Sequence, residues 1–476
     1  MMKRLSAAAA AALALFTASA GAQTPPRDQP LDGRAALADV TLARKALSDI
    51  HAGYDRYTPA EELDVLWNAL EMRAAAGMTR GDLYLEISRI LAAIRCDHTK
   101  AEIPDDFEAD RNARPTYLPF RFKIFDGRMY VVKAADGVDL NRRDEILTID
   151  GEPVKTLIDA VSAVFPVDGD TDFIKEPSIS DFGEFVGPAF EHFMPYLRPI
   201  ASQATITVRR YADGSEDAMV ADRLTFDAYA AVTGEERFSA NFVDAIRYEP
   251  VGDDAAYLAV DTFINYRKPV SPDKIYRPIF ERLADEGRTK LILDLRRNGG
   301  GSTDAQVGLV RWIAREPMQQ ADAVWTRATS IDPAVKEHLS SWQKAALSPK
   351  PEWFRDLGNG YHEIVSRRAG APGGPLKPKK GAFTGDLVLL TSYDNASGVT
   401  HLLAVLKAAG RGVFIGEPTG GSASGATAGI LAYLTLPESK IRVRIPLQRT
   451  MIAGRDQFNP RLGIEPDVVV VDTLES

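Results

Sequence analysis

The sequence predicts a multidomain α/β (α+β) protein with a helical N-terminal segment, a β-rich middle module and a helix-covered core sheet. Apolar residues recur at three- and four-residue spacing through residues 34–94, which is typical of helices. From residue 255 onward, short apolar strands alternate with helical patterns, which indicates a sheet covered by helices. The chain has 476 residues, of which 45% are hydrophobic and 26% charged, so it can bury a large core.

The net charge and the cysteine content restrict the partners and the covalent cross-links of the protein. The formal net charge of −9 offers no overall attraction for polyanions, so we expect no nucleic acid partner. Cys96 is the only cysteine, so an intramolecular disulfide is excluded. We expect Cys96 to be a buried, inert thiol.

The first 22 residues have the pattern of a secretory signal peptide. Lys3 and Arg4 precede a short apolar stretch at 5–16, and Ala20-Gly21-Ala22 supplies a cleavage site. We therefore expect export to the periplasm or the extracellular space. Since no other segment has about 18 uninterrupted apolar residues, we expect no stable membrane insertion.

The helical segment and the middle module follow the leader. Residues 23–114 are predicted to form an N-terminal helical domain, which a proline-containing stretch ends. Residues 115–211 are predicted to form a PDZ-like module. Its expected elements are strands at 121–125, 129–132 and 145–149 and a helix at 156–164, whereas residues 165–199 match no part of that pattern.

Residues 212–476 are predicted to form the α/β core, with a polar insertion at 316–380. The expected strands are 256–260, 290–295, 387–390 and 412–415, and the expected helices are 278–284, 303–314 and 398–409.

One glycine-rich segment could bind an anion. Leu293 to Gly301 reads LDLRRNGGG, a strand that runs into three glycines before a helix. Backbone N–H groups at such a turn can hold a negative charge, although a tight turn without a ligand has the same pattern. The phosphate-binding patterns GxGxxG and GxxxxGK[ST] are absent.

Ser397 stands at a second junction between a strand and a helix. A serine there is normally a helix N-cap. A nucleophile would suit the same place, because the helix N-terminus and the N–H of Gly398 would face a developing oxyanion. The GxSxG pattern of α/β-hydrolases is absent around every serine.

Two histidines compete for the role of a base. His98 lies in Asp97-His98-Thr99, and a single histidine of this kind is usually structural. His401 follows Ser397 by four residues on the same helical face, but its ring would lie about one turn further along the axis.

Several segments together resemble the C-terminal processing (tail-specific) serine peptidases and the tricorn core. These segments are 294–301 (DLRRNGGG), 396–398 (ASG), 416–421 (GEPTGG) and 463–467 (GIEPD), and their order and spacing also match. Residues 94–99 (IRCDHT) are similar to the element that precedes the PDZ-like module in that family. The resemblance implies that the core is a peptidase core.

The resemblance also implies roles for individual residues. Ser397 matches the nucleophile, and Gly398 and Gly300 match the glycines of the oxyanion hole. The tail-specific branch has a lysine base 25 residues after the nucleophile, where this chain has Ser422. The tricorn-like branch uses a histidine instead, and His98 matches it.

The third catalytic residue, an acid that would pair with His98, is predicted from its position in the sequence. The tricorn-like branch has a glutamate shortly before the 463–467 element, and Asp456 is the nearest upstream carboxylate here. Asp467 is expected to be part of the fold. Asp97 is next to His98, but neighbouring side chains point apart in an extended chain.

The expected function is that of an exported serine endopeptidase that acts on peptides or unfolded protein. The expected catalytic residues are Ser397, His98 and Asp456. The alternative is a non-catalytic peptide- or ligand-binding protein on the same fold, because Ser422 and Thr400 replace two residues of the tail-specific branch. The six histidines are scattered and form no HExxH pattern, so we expect neither a metal nor another cofactor.

Overall fold

The structure is a computed structural model, and it describes residues 24–180, 188–233, 241–471 and 473. The predicted leader at residues 1–22 lies outside the described residues. Every helix in the described part of the chain is too short or too polar to cross a bilayer.

The N-terminal part is helical, as predicted. Its helices are Gly33–Ile50, Ala60–Ala75, Arg80–Ile94 and Asp105–Ala113, and a short strand pair, Pro30–Leu31 with Met78–Thr79, joins the first and third. The side chain of Asp32 caps the first helix by accepting from the N–H of Ala35 at 2.8 Å. The third helix ends at Ile94, its C-cap Arg95 has a left-handed φ of 60°, and the chain then turns toward His98.

The middle module contains an antiparallel sheet. Its strands lie in the order Phe120–Phe125, Arg128–Ala134, Glu145–Ile149, Gln203–Arg209 and Glu216–Asp222, with Glu152–Pro153 beside the third. The helix expected at 156–164 spans Val154–Ser162. The predicted boundary at 211 falls between two paired strands, so this sheet continues to Asp222. Its likeness to a PDZ module stays a prediction.

Short helices lie within residues 165–199, the segment that matched no part of the PDZ-like pattern. They are the 3-10 turn Asp172–Ile174 and the α-helices Lys175–Ser180 and Ala189–Leu197, and a further helix, Phe226–Thr233, follows the sheet.

The core sheet follows the predicted alternation. Its strands lie in the order Ile246–Val251, Ala255–Val260, Lys290–Asp294, Asp386–Thr391, Val413–Gly416 and Val468–Val469, and all the pairs after the first are parallel. The helices are Pro272–Asp285, Thr303–Ile313 and Ser397–Ala408. Because parallel strands end at one edge, the segments after Asp294 and Thr391 lie side by side. This confirms the predicted α/β class.

A second sheet was not predicted. Its strands lie in the order Leu339–Ser340, Thr427–Thr435, Arg442–Ile452, Ala321–Thr326, His362–Ile364 and Phe354–Asp356, and Ala101–Glu102 pairs with the first two residues of Arg442–Ile452. The 316–380 insertion therefore contributes strands to a sheet.

Two buried clusters divide the described chain. One contains apolar residues of the N-terminal helices, the middle module and the Thr427–Ile452 hairpin, and the other belongs to the core sheet and its helices. The first cluster holds the segment around His98 against the hairpin that follows the core strands.

Candidate active site

Ser397 occupies a strained turn at the start of its helix. It is the first residue of Ser397–Ala408 and has a φ of 55°, which is rare for a residue with a side chain. Ala396 is the N-cap, and no side chain caps this helix. The hypothesis that Ser397 is an N-cap is therefore wrong, and its hydroxyl needs another explanation.

Asn395 fixes this turn to the glycine-rich segment. Its Nδ2 donates to the carbonyl oxygens of Leu295, at 2.6 Å, and Asn298, at 3.0 Å. Its Oδ1 accepts from the N–H of Ser392 at 3.0 Å. These bonds join the ends of two neighbouring parallel strands, so Ser397 is held by a rigid buried amide. Asn395 was not among the predicted site residues, although it directly precedes the 396–398 motif.

Gly300 contacts the Ser397 turn closely. It has a φ of +101°, and a Cβ there would lie 2.8 Å from the oxygen of Ala396 and 2.9 Å from the nitrogen of Gly398. However, its N–H donates to Asn298 Oδ1 at 2.8 Å. In this structure the Gly300 N–H is therefore not available to an oxyanion, and the clear reason for glycine is close backbone approach.

Gly398 is the second residue of the helix. The first N–H groups of a helix have no acceptor in the preceding turn, so they can bind an anion. A Cβ at this position would lie 3.6 Å from the Gly301 oxygen, so the triple-glycine segment runs directly beside it.

His98 lies in a tight turn. The N–H of Thr99 donates to the oxygen of Cys96 at 3.0 Å, and Arg444 Nε donates to the oxygen of His98 at 2.9 Å. His51 Nε2 lies 2.6 Å from Thr99 Oγ1, while its Nδ1 accepts from a backbone N–H. The turn is thus held by polar contacts to Arg444 and to the buried His51.

The carboxylate of Asp97 is hydrogen-bonded to Nδ1 of His98. The expectation that these neighbours point apart is wrong, because residues 97 and 98 form a turn and not an extended strand. Burial alone would lower the pKa of His98, but Asp97 outweighs it, so the pKa lies above the ordinary 6.5. Burial opposes ionisation of Asp97 in turn, yet His98 keeps the pKa of Asp97 below 3.8.

Asp456 does not contact His98 in this structure. It lies in the 3-10 turn Arg455–Gln457 with 93% of its side chain exposed, and its ion-pair partner is Arg455, at 4.0 Å. The assignment of Asp456 as the acid of His98 is corrected here, because the imidazole Nδ1 is already bound by Asp97. Asp467 belongs to the fold, as expected, since it accepts from the N–H of Phe414 and pairs with Lys407, both at 2.8 Å.

His401 is hydrogen-bonded outside the Ser397 turn. Its Nε2 is 2.7 Å from the carbonyl oxygen of Gln320, and burial lowers its pKa. A ring nitrogen that donates its hydrogen to this carbonyl cannot also accept the proton of Ser397. Of the two histidines, His98 is the better candidate for a base.

A short path of contacts connects Ser397 with the His98 turn. A Cβ on Gly421 would lie 3.2 Å from the nitrogen of Ser397, so these backbones touch. The next residue, Ser422, donates its N–H to Asp168 Oδ2 at 3.3 Å, and Asp168 Oδ1 accepts from the N–H of Asp97 at 3.2 Å. Among the described residues, the Ser397 hydroxyl has no hydrogen-bond partner, and the bond to His98 is therefore unformed.

Ser422 occupies the position of the lysine in the tail-specific branch. Its hydroxyl accepts from Arg56 Nη2 at 3.0 Å. A guanidinium stays protonated at physiological pH, so Arg56 cannot replace a lysine base.

The side chains of Cys96, Asp97 and His98 could together approach a metal ion. Their ligand atoms lie within 4.8 Å of one another. Burial raises the pKa of the Cys96 thiol, which opposes the thiolate form that metals prefer. The expectation of a metal-free reaction stays a prediction.

Residues 254–470 match the family model of peptidase family S41. Through this segment the chain is similar to peptidase family S41. The match identifies the core as that of a serine-type peptidase. The matched segment contains Ser397 and the glycines discussed above, whereas His98, Asp97 and Asp168 precede it.

Solved structures show the same fold. Mature CPAF in complex with lactacystin has 13% sequence identity and a TM-score of 0.61, and the match covers 92% of this chain and 94% of that chain. Mature CPAF alone has 14% identity and a TM-score of 0.60, with 92% of each chain covered. No curated protein matches the chain.

Proposed function

We propose that the protein is an exported serine endopeptidase that cleaves peptides or unfolded proteins, with Ser397 as nucleophile and His98 as base. The observation that carries the proposal is the conformation of Ser397. A strained serine at a helix N-terminus, without a capping role, is placed as a nucleophile requires.

The reaction follows from the positions of these groups. Because Nδ1–H of His98 donates to Asp97, the lone pair of the neutral imidazole is on Nε2. Nε2 takes the proton of Ser397 as Oγ bonds to the substrate carbonyl carbon, and His98 then returns that proton to the departing amine. Water hydrolyses the resulting ester by the reverse sequence of proton transfers.

The oxyanion is assigned first to the N–H of Gly398. The helix N-terminus adds a favourable partial positive charge there. A second donor from Gly300 requires its N–H to leave Asn298 Oδ1, so we propose that substrate binding includes this small rotation of the glycine segment. In the same step the Ser397 hydroxyl and His98 Nε2 come within about 2.6–3.2 Å, since such contacts are often loose without substrate.

One observation favours the alternative, a non-catalytic peptide-binding protein. In this structure the Gly300 N–H is bonded to Asn298, and the Ser397 hydroxyl has no bond to His98 among the described residues. A protein that binds without cleaving could keep this arrangement permanently.

Turnover of an unfolded protein separates the two functions. A reduced, denatured protein substrate should be cleaved by the wild type, whereas the Ser397→Ala variant should be inactive but still folded. Ser88→Ala is the control and should keep its activity, since Ser88 is a buried serine of the helix Arg80–Ile94 whose hydroxyl donates to the oxygen of Tyr84 at 2.8 Å. Binding without cleavage by the wild type would support the alternative.

Export is proposed from the leader sequence. We expect the mature protein to begin at Gln23, directly after Ala20-Gly21-Ala22. Intact-mass measurement of protein from the periplasm or the medium tests this. A cytoplasmic protein that keeps residues 1–22 would contradict it.

A further inference from the structure

Asp168 is a buried acid next to both halves of the candidate site. Its side chain is completely buried, and each carboxyl oxygen accepts one backbone N–H. One of these N–H groups belongs to Asp97, the partner of His98. The other belongs to Ser422, which follows the glycine in contact with Ser397.

We propose that Asp168 is a positioning residue of the peptidase site: it fixes the distance between the base and the nucleophile and orients Asp97 toward His98. This inference rests on the proposed function and extends it to a residue outside the family segment.

The loop that carries Asp168, residues 167–172, is itself held rigidly. Arg95 Nε donates to the oxygen of Gly169 at 2.6 Å, which connects the loop to the end of the helix before His98. The N–H of Asp170 donates to the oxygen of Arg461 at 2.7 Å, and Arg461 Nη2 returns a bond of 2.8 Å to Asp170. The loop therefore contacts the N-terminal part and the family segment together, as a positioning element must.

The charge of Asp168 also affects the pKa of His98, the proposed base. Burial, followed by the nearby Asp97 charge, raises the pKa of Asp168 to about 7. A hydrogen bond from Asp168 contributes to the low pKa of Asp97, and the negative charge of Asp168 contributes to the raised pKa of His98. The neutral acid can donate to Asp97, whereas the anion strengthens the proton affinity of His98.

The pKa values of Asp168 and His98 also depend on the other ionisable groups around them. The ionisable groups that interact with Asp168 or His98 are Asp97, Arg56, Arg444, Tyr57 and Cys96. Arg444 lowers the pKa of His98, and Arg56 lowers the pKa of Asp168. Neither effect is large enough to cancel the opposing ones, since the pKa of each group remains raised.

Asp39 offers a matched control. It is also completely buried, accepts backbone N–H groups from Glu438 at 3.1 Å and Ser439 at 2.7 Å, and has a pKa raised by burial. It connects a helix to the far end of the second-sheet hairpin. A substitution there removes a similar structural tie without touching the groups around His98.

The test compares Asp168→Asn and Asp168→Ala with Asp39→Asn and Asp39→Ala. We expect Asp168→Ala to lower kcat about 100-fold, because misplacement of a catalytic group by about 1 Å has that effect. In Asp168→Asn the acid limb of kcat/KM should move to lower pH, since a negative charge near His98 is lost. The Asp39 variants should lose stability but keep kcat and the pH profile. Equal effects from both sites would overturn the proposal.

A titration by NMR separates this proposal from the proposed function. In the Ser397→Ala background, the pKa of the His98 imidazole should fall by about 0.5 unit or more with Asp168→Asn and stay constant with Asp39→Asn. This readout needs no turnover, so an inactive wild type would overturn only the peptidase function. In the chain with native Asp168, a second inflection of the His98 signal near pH 7 is expected from Asp168. A His98 signal without that inflection, together with an unchanged pKa in Asp168→Asn, would contradict the role of Asp168.

Discussion

The carboxylate of Asp97 binds the imidazole of His98, the next residue along the chain. Adjacent side chains meet here because the backbone turns, with the N–H of Thr99 bonded to the oxygen of Cys96 at 3.0 Å. Such a contact fixes the tautomer of the ring without a residue from a distant part of the chain. The proposed base and its acid therefore form one compact unit.

Asp97→Asn should separate the two candidate acids. The amide cannot accept from Nδ1 as a carboxylate does, and it no longer stabilises the imidazolium, so kcat should fall by a factor on the order of 10³ to 10⁴. Asp456→Asn should leave kcat unchanged, because that side chain is 93% exposed. Steady-state kinetics of both variants check this, and a large loss of kcat in Asp456→Asn alone would identify Asp456 as the acid.

The pH dependence follows from the raised pKa of His98. The base must be neutral, so activity should fall as the pH drops through that pKa, with a midpoint above 6.5. Asp97→Asn removes the charge that raises the pKa, so the midpoint of any residual activity should move to lower pH. Profiles of kcat/KM against pH measure both. A midpoint that does not respond to Asp97 would mean that another group titrates.

The identity of the base can be tested with three alanine variants. His98→Ala should remove nearly all turnover, as Ser397→Ala does, because the two residues act as a unit. His401→Ala should lose stability and keep most activity, since its ring is bonded to the oxygen of Gln320. Ser422→Ala keeps its N–H and should have a small effect. Full activity of His98→Ala would exclude it as the base.

Gly300→Ala should damage the site by steric contact. Its Cβ would lie 2.9 Å from the Cβ of Ser397 and from the nitrogen of Gly398, so the turn would have to shift. Gly137→Ala is the control: it also has a positive φ, of +82°, but its Cβ would have no neighbour within 4 Å. We expect the control to lose about 1–2 kcal/mol of stability with normal kcat. Equal kinetics in both variants would argue against a tight Gly300 contact.

The core was predictable because its local patterns and its packing agree. Strand 290–295 and helix 303–314 appear as Lys290–Asp294 and Thr303–Ile313, with apolar runs that end at glycine or polar residues. The strands Thr427–Thr435 and Arg442–Ile452 were missed, although both are long. Glycine, proline and charged residues interrupt their alternation, and their partners come from distant parts of the chain.

The site residues that belong to sequence motifs could be predicted. The contacts that depend on a backbone turn or on the tertiary fold could not. Ser397 and His98 were identified by resemblance. The contact between Asp97 and His98 depends on a backbone turn that the sequence does not specify, and the bond from Gly300 to Asn298 depends on the orientation of one peptide plane. Asp168 is 70 residues from His98 in a segment without a recognisable pattern, so only the fold brings it to the site.

The most direct measurement is covalent labelling of Ser397 with a fluorophosphonate, followed by intact-mass and peptide analysis. We expect one adduct on Ser397 in the wild type, with a labelling rate that falls as the pH drops through the pKa of His98 and is nearly abolished in His98→Ala. A folded wild-type protein that takes no label, or takes it at another serine, would contradict the central claim.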